Sequence, residues 1–326
     1  MTSPGSIRTI AAHEFRSAVR SRVLLVFVVC MVIIAVGSIT IASFDFRAQM
    51  ADYNAYVTEA KAAGAALIPP PQLFPLQLLR GVIEYIQIIG AVLAIGLGYL
   101  AVARERNGGT LRLLATRPLR VRHLFAGRLL GAAGVIGTVL AATAAISVLV
   151  IGIVGGQWLG GSELVRLLIT FAFAVIYMLL FFALGSWLTA RSAALVNGLV
   201  IAIVVWLSVV LIIPQIGDTM DPDNQVPGGL FAALQVQKAD EKSVLAKFRT
   251  YERIRSDLEE SSLTKHYERF TFATTGIKDK YNGKPLSLIV RDKRGDLGWI
   301  AIYVTLLGGL MWFGLRRELS VRKAPS

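Results

Sequence analysis

The chain has 326 residues and a net charge of +13 at pH 7, yet 55% of it is hydrophobic and only 17% charged, with a mean hydropathy of +0.61. Soluble domains average about 45–50% apolar and about 25% charged residues, so this composition excludes an ordinary water-soluble domain and a disordered chain alike. Cys30 is the only cysteine, which excludes an internal disulfide scaffold.

The first element in chain order is an amphipathic leader. Residues 6–22 (SIRTIAAHEFRSAVRSR) set Ile7, Ile10, Ala11, Phe15 and Val19 at spacings of three and four, with Arg8, Glu14, Arg16 and Arg20 largely elsewhere on the wheel. That pattern suits a helix lying in the membrane interface; its plainer alternative is a solvated helical leader.

Six uncharged apolar runs follow: Val23–Phe44, Tyr85–Ala103, Leu129–Val154, Leu167–Ala190, Ala193–Ile213 and Leu297–Leu315. Each reaches the roughly 20 residues that a helix needs to cross about 30 Å of hydrocarbon. Backbone in lipid must satisfy its own hydrogen bonds, and without the alternating pattern of a barrel the solution is helical. The expected fold is therefore an all-α integral membrane protein with six transmembrane helices. The first run is about twice as long as a signal-peptide core and no small-residue cleavage site follows it, so it is expected to be retained.

The connections carry their own signals. Residues 45–81 combine a helix-compatible half with Pro69, Pro70, Pro71 and Pro75, which favour a stiff, extended return to the membrane. After the second run, Glu105–Pro118 reads ERNGGTLRLLATRP. There Thr110 is placed to cap a short helix whose Leu111, Leu114 and Ala115 form an apolar face among arginines. Such a helix is a docking element, or alternatively a solvated loop that only orients the chain. The fifth connection, residues 214–296, is too long for a simple link. Within it Val244, Phe248, Tyr251, Ile254 and Leu258 mark an amphipathic helix that must cover something. Asn282-Gly283, between TFATTGIKDKY and PLSLIVR, is a hairpin signal.

Charge orders these parts. With six spans both termini share a side, and the short connections on that side hold sixteen Lys and Arg against four on the other. The excess places both termini in the cytoplasm. It also accounts for the whole net charge, because the opposite side is nearly neutral. A nucleic-acid surface would interleave basic and aromatic residues on one face, whereas these arginines flank spans.

Tests for chemistry are negative. His13, His123 and His266 lie in separate segments, and no HExxH, CxxC or EF-hand pattern occurs. Gly283-Lys284 is followed by Pro285 and has no glycine five residues earlier, so no loop that cradles phosphates is expected. Ser186 lacks a nucleophile elbow. No catalytic residue and no metal ligand is assigned. The polar residues at membrane depth are Glu84, Gln87 and Asn197. Glu84 and Gln87 share a helical face and line a substrate path, or else Glu84 snorkels to the interface while Asn197 bonds a neighbouring helix. Gly127-x3-Gly131 and Gly152-x3-Gly156 permit close helix approach.

The leader AAHEFRSAVRSR, the six spans and the segment ARERNGGTLRLLATRPLRVRHLFAGRLLGA together resemble the permease subunits of ABC transporters of the second, exporter-type class. Glu105, Arg106, Gly109, Thr110, Leu111, Leu113, Leu114 and Pro118 match the loop pattern of that family, and Asn107 departs from it where a second acidic residue is common. The resemblance covers roughly residues 7–213 and the last span. It implies an elbow helix over 1–22, spans one to five over 23–213 with a coupling loop at 104–128, a sixth span at 297–315 and a cytoplasmic tail at 316–326; the connection 214–296 lies outside the resemblance and is read from its nearly balanced charge and its helical pattern as an extracytoplasmic, mainly helical module. It further implies that Glu105, Arg106, Gly109, Thr110, Leu111, Leu113, Leu114 and Arg117 form the interface with a separately encoded ATPase subunit. ATP and Mg would be held by that partner, and this chain would bind no cofactor. A second permease copy, export across a prokaryotic plasma membrane and no nucleic-acid partner complete the expectation. The reading from another class is a membrane scaffold whose 214–296 module binds an extracytoplasmic protein.

Overall fold

The computed structural model describes residues 5–62, 74–107, 121–219 and 249–321, and every regular element among them is a helix. Six helices are long and apolar enough to span a membrane. They are α2 (Val23–Ala62), α3 (Pro75–Asn107), α4 (Val121–Ile153), α5 (Gly161–Arg191), α6 (Leu195–Ile216) and α10 (Arg294–Val321). The leader forms α1 (Gly5–Arg20). The described part of the fifth connection forms α7 (Arg249–Glu260), α8 (Leu263–Thr275) and α9 (Leu286–Asp292).

The spans outrun the apolar stretches that announce them, because helix continues wherever the next residues are good helix formers, whatever their polarity. The clearest case is α2, which passes Phe44 without a break and ends at Ala62. Arg47, in its extension, donates to the Val154 carbonyl at the end of α4. Pro69, Pro70 and Pro71 lie outside the described residues, while Pro75 opens the 3-10 turn (Pro75–Leu79) with which α3 begins. Proline belongs there, since a first-turn N–H has no intrahelical acceptor.

Glycines set the tightest crossings. A Cβ at Gly185 of α5 would lie 2.6 Å from the Ile95 carbonyl oxygen of α3, and one at Gly98 of α3 would meet the Phe182 carbonyl oxygen of α5. These two helices therefore touch backbone to backbone, as small residues allow in membranes. Gly127 and Gly131 of α4 receive α1: their Cβ positions would fall 2.6 Å from the Cβ atoms of Ile10 and Glu14, and Gly134 faces the Phe15 ring. The order of these meetings shows that α1 runs alongside the start of α4 in the same chain direction. Gly152 instead makes room for the Trp158 ring, and Gly156 turns the chain at φ 71°.

At the end of the bundle away from the arginines, α8 is embedded. Ten of its thirteen residues are buried, and Tyr267 and Phe270 join Phe173 and Tyr177 of α5 in an aromatic stack, with the Tyr177–Tyr267 ring centroids 4.3 Å apart. The Tyr177 hydroxyl donates to the Gln87 carbonyl at 2.9 Å, which lies in a π-helical stretch of α3 (Ile86–Gly90). A π-bulge frees carbonyls from the regular ladder, and here a tyrosine takes one. Ser262 caps the start of α8 through its hydroxyl, and Gly276 ends it in the left-handed region at φ 72°. The helix is anchored by His266, which is 1% exposed. Its Nδ1 lies 2.7 Å from the Asp296 carboxylate on α10, and its Nε2 lies 2.7 Å from the Glu260 carbonyl.

The hairpin expected around Asn282-Gly283 does not form. Residues 272–275 belong to α8 and 286–291 to α9, with a 3-10 turn at Asp279–Tyr281 between them. Gly283 does turn the chain, at φ 67°, but Ala273, Tyr281 and Ile289 close a small helical core around it. An Asn-Gly pair specifies a turn, and the flanking elements are decided by what they pack against. Of the amphipathic pattern read at 244–258, Val244 and Phe248 lie outside the described residues. Ile254, in α7, is 48% exposed.

Candidate functional site at the arginine end

The ends of α3 and α4 are the stems of the loop 108–120. That loop lies outside the described residues, and with it the nominated Gly109, Thr110, Leu111, Leu113, Leu114 and Arg117. The stems themselves are described, and they carry a polar cluster. Arg104, Glu105 and Arg106 close α3; at about 100° per residue, three consecutive helical side chains leave in three directions. Each reaches a different part of the bundle.

Glu105 turns to α4, where Arg128 grips its carboxylate with two nitrogens: Nε donates to Oε1 at 3.1 Å and Nη2 to Oε2. Arg128 is 1% exposed, so this fork is a buried ion pair with bidentate geometry. Arg104 turns to α1. Its Nη1 donates to the Ser17 hydroxyl, its Nη2 stands 3.7 Å from Glu14 Oε2, and its Nε donates to the Leu100 carbonyl one turn back. Arg106 turns to the connection between α5 and α6, donating to the Ala190 carbonyl at 2.6 Å and the Ser192 carbonyl at 2.8 Å.

Glu14 completes the cluster from the leader. Burial pushes its carboxyl above the ordinary carboxylate range, and the attraction of Arg128 and Arg104 only partly offsets that. The opposite face of α1 is open, forming a basic groove of about 560 Å³ along Arg8, His13, Arg16 and Arg20.

Of the eight residues nominated for a partner interface, Glu105 and Arg106 are therefore the two described, and both side chains are engaged within the chain. The nominated pathway residues do not converge. Glu84 pairs with Arg80 at 3.0 Å one turn earlier in α3. Gln87 is buried behind it on the same helix, with its Oε1 in no hydrogen bond. Asn197 is exposed near the start of α6, at the arginine end, some twenty helical residues and thus about 30 Å from Glu84. Among the described residues no group of three His, Cys, Asp or Glu converges as a metal site.

The sequence reading missed Glu14, Ser17, Arg104 and Arg128 as members of a site. One signal was present: only Glu14, Glu105 and Glu318 are acidic on the arginine-rich side, and two of these three are the acids of the cluster.

The sequence matches the family described as ABC-2 family transporter protein over residues 8–306, nearly the whole chain. The chain belongs to that family. A search of curated proteins found no match. As an ABC-2 chain with six spanning helices, it is a multi-pass membrane permease, and the cluster lies at the base of the loop that resembles the coupling loop of its family. The ABC-2 match also takes in α8 and the start of α10, so the embedded helix falls within the family's extent.

Proposed function

We propose that this permease is the membrane-spanning half of an ATP-driven exporter, working as a dimer with a separately encoded ATPase, and that its arginine end faces the cytoplasm. Loop 108–120 docks in the ATPase through the apolar face of Leu111, Leu114 and Ala115, with Leu113, Gly109, Thr110 and Arg117 completing the contact. ATP and Mg belong to the partner, whose binding and hydrolysis move the loop. The observation that carries this reading is the buried Glu105–Arg128 fork, which joins both stems of the loop. A force on a loop with separate stems would dissipate in bending, whereas clamped stems turn it into rigid-body motion of α3 and α4. The Arg104 bonds to Glu14 and Ser17 add α1 to the moving body.

The test is co-purification of ATPase activity with the tagged permease. Leu113→Asp or Leu114→Asp is expected to abolish it, because a buried, unpaired carboxylate in an apolar cleft is strongly unfavourable, while membrane insertion stays normal. Full ATPase capture by both variants would overturn the docking role of the loop.

A further inference from the structure

We infer that Arg106 is a positioning residue that ties the connection between α5 and α6 to the stem of the loop, and so carries the motion of the loop into these two spans. This rests on the proposed coupling to an ATPase and departs from the resemblance, which put Arg106 against the partner.

The last carbonyls of a helix have no intrahelical donor, and the helix dipole makes that end attractive to a cation. Arg106 meets both needs at the end of α5, with one nitrogen on Ala190 O and another on Ser192 O. The connection it grips is short, and the start of α6 has no side-chain cap. Next to it α5 and α6 are already locked together: a Cβ at Gly198 would stand 2.8 Å from the Leu188 carbonyl oxygen and 2.8 Å from the Thr189 nitrogen. Whatever moves Ser192 therefore moves both helices. Lysine has the charge of arginine but not its planar fork, so it cannot hold two carbonyls at once in this way.

The experiment uses the full-length chain with Cys30 replaced by Ser and a single reporter cysteine, either Asn197→Cys on α6 or Arg122→Cys on the α4 stem, both exposed positions. Maleimide labelling rates are compared with and without Mg-ATP and vanadate, beside the co-purified ATPase activity. With Arg106 present, trapping is expected to change labelling at both positions by about threefold or more, as for a rigid-body step. With Arg106→Gln the change at position 197 shrinks to what the crossing of α3 and α5 at Gly98 and Gly185 alone transmits, the change at 122 persists in full through Glu105–Arg128, and ATPase capture is unaltered. Arg106→Lys gives an intermediate response at 197 and guards against misfolding of the Gln variant. Loss of ATPase capture in both Arg106 variants would make Arg106 a docking residue and overturn the inference, as would an unchanged response at 197. Absence of any nucleotide-dependent change in the parent protein would instead sink the coupling proposal itself.

Discussion

Glu105 and Arg128 are worth most as a pair. Two charges taken out of water depend on each other, so removing one partner of a buried pair typically costs about 3–5 kcal/mol, whereas replacing both by apolar residues of similar size is close to neutral. Arg128→Met and Glu105→Leu are each expected to lower the apparent melting temperature of the detergent-solubilised chain, and the double variant to recover most of the loss. Additive losses in the double variant would mean the fork is not a coupled unit. Glu14 supplies a pH dependence. Its folded pKa lies above the ordinary value because of burial, so the fold binds this proton better than the unfolded chain does. The stability due to Glu14 is then fully present below the ordinary carboxylate range, falls as pH rises through the raised folded value, and is flat above it. Glu14→Gln mimics the protonated form and should remove that slope from the variant's own profile, so that the difference between wild type and variant carries it; parallel pH profiles would refute it. The exposed Arg8, Arg16 and Arg20 on the same helix carry no comparable cost, since a charge left in water needs no partner.

Between elements, backbone contact and polar anchoring hold the bundle. At Gly96 nothing lies within 4 Å of the place an added methyl would take, whereas at Gly98 and Gly185 a methyl strikes the backbone of the facing helix. Alanine in an open helical site gains up to about 1 kcal/mol over glycine. Gly96→Ala should thus be neutral or stabilising, and Gly98→Ala and Gly185→Ala destabilising, as read by thermal unfolding; the same sign at all three would disprove the close crossing of α3 and α5. The seat of α8 depends on a different device. Its hydroxyls at Thr271, Thr274 and Thr275 satisfy themselves on carbonyls one turn back, leaving His266 as the link to Asp296 and Glu260. The Trp299 ring stacks on the imidazole with centroids 5.6 Å apart. His266→Leu takes the ring partner from the Glu260 carbonyl and leaves Asp296 with Lys293 alone, a loss of about 1–3 kcal/mol. Hydrogen exchange of the 263–275 amides should accelerate by about tenfold while that of α5 is unchanged, since local opening follows local stability. Unaltered exchange in α8 would remove the anchor role.

For the whole molecule, orientation is the prediction that charge makes. In a Cys30→Ser background, Ser287→Cys on α9 should react with a membrane-impermeant maleimide in intact cells, and His13→Cys on α1 only after permeabilisation. The reverse pattern would invert the proposed topology. Much of this architecture was legible locally. A lipid solvent imposes its demand on every run of about twenty residues independently, so the six spans, their order and their arginine-rich ends were set by the sequence alone. The composition of α8 gave no such warning: Lys265, Glu268 and Arg269 interrupt its apolar residues, its end carried a hairpin signal instead, and only its neighbours in space reveal that the opposite face is buried against α5. The same limit hid the site. Arg104, Arg106 and Arg128 counted equally as orienting charges, yet their partners lie 87, 84 to 86 and 23 residues away. Which arginine is solvated and which is a buried clamp is decided by helix packing, because burial and the nearness of a second charge are properties of the assembled bundle and of no single stretch of chain.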